Sequence, residues 1–407
     1  MTNNSYPNIK TLISNVLSKC SCFNLKTNRK NFIFTVLFCF SAIKGKINFL
    51  QLARFSDKCE QYFRINFENR FDFQRFNLSM IKERCKACIV AFDPSYIKKS
   101  GKKTPGLGRY WSGCAGKAKW GLDICGFAAV DINRRIAFHL NAIQTIKETY
   151  ETLLQYYCRI IKDNYLYFKE LSKYLVADSF FAKEEVVETV LNLGMHFISR
   201  LRDGQRLMYP YRKPETDKKE KGRPEKYSGK VKASDPNMDW FTLVHDSKEQ
   251  KIYNAHLYCI AMNCRLINVS LVVFYKNGKE TARKLYFSTD LTLDGMKIFT
   301  WYSSRFQIEF IYRDAKQYCG LEDCQARSKN KLDFHFNAAL TTVNLAKIHW
   351  LDTKKSDEVS FSMADFKTLC HNTLMLNCFF RMFAINPNTT KNQCKMNELI
   401  QFGLIAG

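Results

Sequence analysis

The chain has 407 residues, with 63 Lys or Arg against 38 Asp or Glu and a formal charge of +25 at pH 7. An apolar fraction of 46% and an aromatic fraction of 14% supply enough surface for a packed core, which excludes a disordered chain. A compact body so charged favours polyanions, nucleic acid foremost, while evenly spread basicity would serve solubility alone.

The first segment is polar and lacks the basic-then-apolar order of a signal peptide. The run Phe32 to Ile43, FIFTVLFCFSAI, is too short to cross a bilayer and reads as a buried helix, so a cytoplasmic protein with no membrane partner is expected. Residues 44–84 carry nine basic residues against five acids, interleaved with Phe49, Phe55, Tyr62, Phe63, Phe67, Phe71, Phe73 and Phe76. Two short helices are expected at 47–55 and 58–67, with Ser56-Asp57 as the cap between them. A capped helical pair with a basic face suits a helix-turn-helix DNA-binding region over residues 1–84, or an ordinary helical hairpin.

The 16 cysteines are scattered and read as thiols rather than staples. Cys85 and Cys88 have the gap of a zinc knuckle, but no second Cys/His pair completes the site. They read as two small apolar residues entering a strand.

From Ala87 the rhythm becomes that of strands. Cys88–Asp93, Ile124–Val130 and Ile136–Ile143 are expected strands, followed by a helix at 146–161 and a strand at 174–177 that ends in Asp178. A helix at 182–193 and a strand at 196–200 complete a mixed α/β sheet with helices packed on it, over residues 85–202. Residues 106–113 contain glycines without dinucleotide-binding spacing and read as a loop, with Lys98, Lys99, Lys102 and Lys103 beside it.

Residues 203–289 read as an insertion. Its first part, 211–232, holds nine basic and four acidic residues with Pro214, Gly222, Pro224 and Gly229, the composition of a mobile basic loop. The remainder alternates as antiparallel strands near 240–245, 252–261, 268–275 and 283–288, the last two joined by the hairpin signal Asn277-Gly278. Helices follow at 292–317, 333–350 and 362–383, which divides the rest into a second core part, 290–350, and a C-terminal helical region, 351–407.

Three acids stand out. Asp93 and Asp178 each end an apolar strand, Asp93 with Pro94 behind it to stop the strand. Carboxylates at the ends of adjacent strands suit two hard divalent cations about 4 Å apart for phosphodiester chemistry. The third lies on the helix expected at 292–317. There Tyr302, Arg305, Glu309 and Lys316 fall within about 60° of one another at 100° per residue. An Arg305–Glu309 ion pair alone would leave Tyr302 and Lys316 unexplained. No His is paired with a nucleophile, so hydrolase triads have no support.

The spacing Tyr302-x2-Arg305-x3-Glu309-x6-Lys316 resembles the signature around the last acid of a large group of bacterial insertion-sequence DDE transposases. Tyr286-Phe-Ser-Thr-Asp290 and the stretch Arg305–Gln317 match the surrounding words. Phe92–Thr104 and Val176–Lys183 resemble the first and second acid blocks, so the likeness spans about residues 45–350 in order. It departs at Pro94 and Ser95, where many members have Asp or Gly and then Thr.

The resemblance implies a ribonuclease H-like catalytic core with a β-rich insertion before the last acid. It implies that Asp93, Asp178 and Glu309 bind two Mg²⁺ or Mn²⁺, and that Tyr302, Arg305 and Lys316 grip the strand near the scissile phosphate. The expected activity is cleavage of the ends of an insertion sequence and joining of the freed 3′-hydroxyls to target DNA. The expected partner is double-stranded DNA, with a homodimer on paired ends and nucleoid association in a bacterial cytoplasm when active. The alternatives are a metal-dependent ribonuclease H-like nuclease or resolvase without strand transfer, and a DNA-binding protein whose catalytic centre has decayed.

Overall fold

The computed structural model describes residues 9–19, 25–213, 225–354, 360–386 and 389–405. Pro214, Gly222 and Pro224 of the expected basic loop lie outside these residues. Five helices come first: α1 (Ile9–Lys19), α2 (Thr27–Ala42), α3 (Phe49–Arg54), α4 (Glu60–Asn66) and α5 (Phe73–Ile81). The apolar run does form a buried helix, α2, which is continuously buried from Val36 to Ala42. The expected helical pair is α3 and α4, but the cap is elsewhere. Asn48 caps α3 by accepting the Gln51 N–H at 3.0 Å, and α4 starts after Cys59 with no side-chain cap. Ser56 instead closes α3, its hydroxyl donating to the Leu52 carbonyl at 2.7 Å.

The central elements are β1 (Cys88–Lys98), β2 (Gly108–Ser112), β3 (Lys117–Asp131), β4 (Ile136–Gln144), α6 (Leu153–Lys169), β5 (Tyr174–Val176), α7 (Glu184–Asn192) and β6 (His196–Arg200). Four expectations change here. Pro94 does not end β1, because the ladder to β5 covers only Val90 and Ala91, and beyond it β1 has the free edge that a proline needs. Residues 108–112 form a strand, β2, rather than a loop. Helix α6 begins about seven residues later than periodicity suggested, since Thr152 and Gln155 form a reciprocal capping box that fixes its start. Cys85 and Cys88 are joined by a disulfide across the short link from α5 to β1, rather than remaining thiols.

The insertion supplies β7 (Leu207–Pro210), β8 (Tyr227–Lys230), β9 (Thr242–Asp246), β10 (Gln250–Cys259), β11 (Arg265–Lys276) and β12 (Lys279–Ser288). Asn277 and Gly278, both at positive φ, make the tight turn between β11 and β12. Among the described residues the twelve strands form one sheet, ordered β2-β3-β1-β5-β6-β12-β11-β10-β7-β8, with β4 on β3 and β9 on β10. Strands β1, β5 and β6 are parallel, whereas β3 runs antiparallel to β1 and β12 antiparallel to β6. The insertion therefore continues the central sheet through β12. This mixed α/β arrangement is compatible with a ribonuclease H-like core.

Helices α8 (Gly295–Ser304), α9 (Gln307–Tyr318), α10 (Lys329–Thr353), α11 (Met363–Met382) and α12 (Thr390–Gln401) follow. The helix expected at 292–317 is thus two helices. At Arg305 and Phe306 the backbone bonds shorten to i→i−3, Arg305 N–H to Tyr302 and Phe306 N–H to Ser303, which tightens the turn between α8 and α9.

Helix α6 covers one face of the sheet through contacts such as Phe127–Phe168 and Phe92–Tyr157, at 4.5 and 5.8 Å between ring centroids. Helices α9 and α10 cover the other. The N-terminal helices share this core: Phe32, Phe67 and Phe73 pack on Phe334 of α10 at 5.6, 4.5 and 5.0 Å. Phe49, Phe63, Phe67, Phe73 and Phe76 of the interleaved aromatic set are all buried. Burying one such ring removes about 150–250 Å² from water, so these rings hold the helices to the body.

Candidate active site

Asp93 sits in the middle of β1, just where the neighbouring ladder to β5 has ended. The ladder pairs Val90 with Leu175 and Ala91 with Val176, so Asp93 and Asp178 each lie two residues beyond its last pair. Asp178 lies two residues beyond β5 and caps a single 3-10 turn, its Oδ1 accepting the Phe180 N–H at 2.8 Å. Its own carbonyl accepts the Ser199 hydroxyl of β6 at 2.9 Å, which fixes the backbone at this strand end.

The third acid arrives from above. Arg305, in the tight turn between α8 and α9, reaches Asp93 Oδ1 at 3.4 Å and Glu309 Oε1 at 3.2 Å. The structure thus contains the expected Arg305–Glu309 pair and adds Asp93 to it. Tyr302, on α8 before the turn, packs its ring on Tyr286 of β12 at 4.9 Å, and the Arg305 guanidinium lies 5.8 Å from the Tyr302 ring. Lys316 lies further along α9, where its ammonium donates to the Tyr96 carbonyl at 2.7 Å and to Ser95 Oγ at 3.2 Å, with Glu322 at 3.9 Å. Ser95, one of the two departures from the family pattern, is therefore a partner of Lys316. Arg305, Glu309 and Lys316 form a row along β1, while Tyr302 faces the insertion.

Burial raises the Asp93 carboxyl to about 7, with Glu309 and Asp178 adding like charge, and the Arg305 cation opposes the rise. Both other acids of the expected triad thus act on Asp93 electrostatically. Burial lowers the proton affinity of Lys316, against the pull of Glu322.

Two supporting residues escaped sequence reading. The Tyr312 hydroxyl donates to the Asp93 carbonyl at 2.6 Å and so holds the backbone that carries the acid. A Cβ on Gly126, the β3 partner of Asp93, would come within 1.8 Å of that hydroxyl. Only glycine leaves Tyr312 its place. At 100° per residue Tyr312 falls about 80° from Tyr302, just beside the stripe already read, and that angle was the available signal. Asp123, on the opposite face of β3, is a third. Burial raises it to about 6 even though the hydroxyls of Thr145 and Tyr157 bond it at 2.7 and 3.3 Å.

The family model of the transposase DDE domain matches residues 141–345, just over half of the chain. The chain belongs to the DDE transposase family. The matched stretch of this DDE transposase contains Asp178, Tyr302, Arg305, Glu309 and Lys316, whereas β1 with Asp93 precedes it. No curated protein sequence matches the chain. DDE transposases act on DNA and generally use divalent metal ions.

The donor set here has the right chemistry for such ions, because carboxylate oxygens are hard ligands. Among the described residues no three acids, histidines or cysteines are drawn close enough to enclose an ion. The positive charge between Asp93 and Glu309 is the Arg305 guanidinium, whose buried Nε has no partner. A cation is thus already placed where two of the acids meet.

Proposed function

We propose that this transposase cleaves the ends of an insertion sequence and joins the freed 3′-hydroxyls to target DNA, with Asp93, Asp178 and Glu309 as its three acids. The observation that carries the reading is the meeting of Asp93 and Glu309 at Arg305, with Asp178 among the like charges that act on Asp93. Asp93, Asp178 and Glu309 would hold two Mg²⁺ or Mn²⁺. When bound, such ions would activate the attacking water, and later the freed 3′-hydroxyl, and stabilise the leaving oxygen.

The chain's own groups do the rest. Tyr312 and Gly126 keep Asp93 at its level on β1. Arg305 neutralises the crowded acids and offers a planar guanidinium to a phosphate oxygen. Tyr302 presents a half-buried ring beside it for a base or sugar. Lys316 brings a positive charge to the β1 end of the row, close to the expected path of the cut strand.

Recognition of the element ends is assigned to residues 1–84, whose Arg54, Lys58, Arg64 and Arg70 are exposed. The ends would be double-stranded DNA bound by a homodimer. The decisive experiment uses an end-containing duplex with Mg²⁺ or Mn²⁺. Asp93→Asn, Asp178→Asn and Glu309→Gln should each abolish cleavage and joining while end binding stays within about twofold, because the amides keep shape and lose the charge that holds hard cations. Normal cleavage by any one variant removes that residue from the site.

A further inference from the structure

Strands β2 and β3 form a two-stranded ribbon that runs beyond the end of the row along β1. Its tip is the turn Gly113–Gly116, and its register is Arg109↔Trp120 and Trp111↔Ala118. Two tryptophans stand on it in water: Trp111 is 68% exposed and Trp120 52%. An indole is among the costliest side chains to leave wet, so two on one short ribbon mark a contact surface.

Three observations say what covers it. The first is charge. Between Ser95 and Leu122 the chain has seven cations (Lys98, Lys99, Lys102, Lys103, Arg109, Lys117 and Lys119) and no acid. Such a segment fits a polyanion and repels another basic surface, including a second copy of itself. The second is facing. Side chains of paired residues point to the same side of a sheet, and the unbroken registers of β1 with β3 and of β2 with β3 put Trp120, Arg109 and Trp111 on the face of Asp93.

The third is placement. The Tyr96 hydroxyl donates to the Trp120 carbonyl at 2.8 Å, and Tyr96 is three residues, about 10 Å, along β1 from Asp93. Trp120 is also set in orientation, since its indole N–H donates to the Gly101 carbonyl at 3.3 Å. The reverse face of the ribbon carries Lys117 and Lys119 for the backbone phosphates.

We propose that the β2–β3 ribbon is a DNA-contacting finger, on which Trp111 and Trp120 stack against bases left unpaired beside the cleavage site while Arg109 and the lysines hold the backbone. The assignment rests on the transposase reading and deepens it. A stacked aromatic accepts any base, because every base has a π-face, whereas paired bases within a duplex offer no such face.

The test is metal-free equilibrium binding by the full-length protein to two probes, oligo(dT)20 and a 20-base-pair duplex of arbitrary sequence. Wild type should bind both, with indole fluorescence quenched by oligo(dT)20. Trp111→Ala and Trp120→Ala should each weaken oligo(dT)20 binding about tenfold, with duplex binding changed less than about twofold, and Trp→Phe at either site should restore most of the loss.

Unchanged oligo(dT)20 binding, or equal loss on both probes, overturns the stacking role. Sedimentation of the same samples covers the other occupant. A wild-type dimer that becomes monomeric in Trp111→Ala with intact oligo(dT)20 binding makes the ribbon a self-association surface and overturns the proposal. Cleavage by these proteins is measured separately, so a failed finger beside a working triad leaves the transposase reading standing.

Discussion

Asp93 and Asp290 lie at opposite ends of the central strands, and their surroundings move their proton affinities in opposite directions. Asp93 has one cation, Arg305 at 3.4 Å, two neighbouring acids and a value raised to about 7. At Asp290, burial alone would raise the carboxyl. It is instead lowered to about 2, because the Tyr174 hydroxyl at 2.6 Å and the Thr292 hydroxyl and N–H at 2.7 and 2.9 Å all donate to it. His196 and Lys173 stand nearby at 3.9 Å. One aspartate is satisfied by the fold and ties the end of β12 to β5. The other is left crowded, the condition expected where charge is reserved for a ligand.

The comparison breaks first on stability. Asp290→Asn should cost about 2–3 kcal/mol, since an amide accepts these donors more weakly than a carboxylate. Asp93→Asn should leave the melting temperature at pH 8 unchanged or raised, because it relieves a buried charge beside two others. Equal destabilisation by both substitutions in a denaturant titration would erase the distinction. The pH dependence follows from Asp290. Its folded value lies below the unfolded value of about 3.9, so its contribution is present above that pH and is lost as pH falls towards 2. Wild type should therefore lose about 2–3 kcal/mol more than Asp290→Asn between pH 5 and 2, as read from urea midpoints.

A second test sharpens the account of how Asp93 is held. Gly126→Ala places a methyl group against the Tyr312 hydroxyl and should cost about 2 kcal/mol together with most of the cleavage rate. Tyr312→Phe removes the clashing oxygen, so the double variant should recover part of the stability lost by Gly126→Ala alone. Additive losses across the double-mutant cycle would show that the two residues do not meet.

The smallest effect is expected at Lys316. Its bonds to Ser95 and the Tyr96 carbonyl are few and partly exposed, so Lys316→Ala should lower stability by about 1 kcal/mol. Single-turnover cleavage should fall further than that loss explains. A normal rate in a protein with an unchanged melting point would confine Lys316 to bracing β1.

Much of this was readable from residues alone. The apolar runs gave β1, β5 and β6, Asn277-Gly278 gave a hairpin, and the spacing from Tyr302 to Lys316 gave the helix-borne acid. What escaped reading was set by partners distant in sequence. Pro94 stands inside a strand because β5 is too short to pair there. Residues 108–112 are a strand because β3 extends beyond β1. The assumed straight stripe is two helices, and Tyr302 turned to Tyr286 while Arg305 turned to Asp93.

The sequence by itself determined the basic field, the alternation of strands and helices, and the three candidate acids in their order, because charge and hydrophobic period are local properties of a chain. Only the tertiary structure decided that Arg305 lies between Asp93 and Glu309, that Tyr312 needs a glycine on β3, and that Trp111, from a supposed loop, and Trp120 share a sheet face with Asp93. Each of these depends on strand register and helix packing, which bring together residues from 18 to more than 200 positions apart and leave no mark in any single window of sequence.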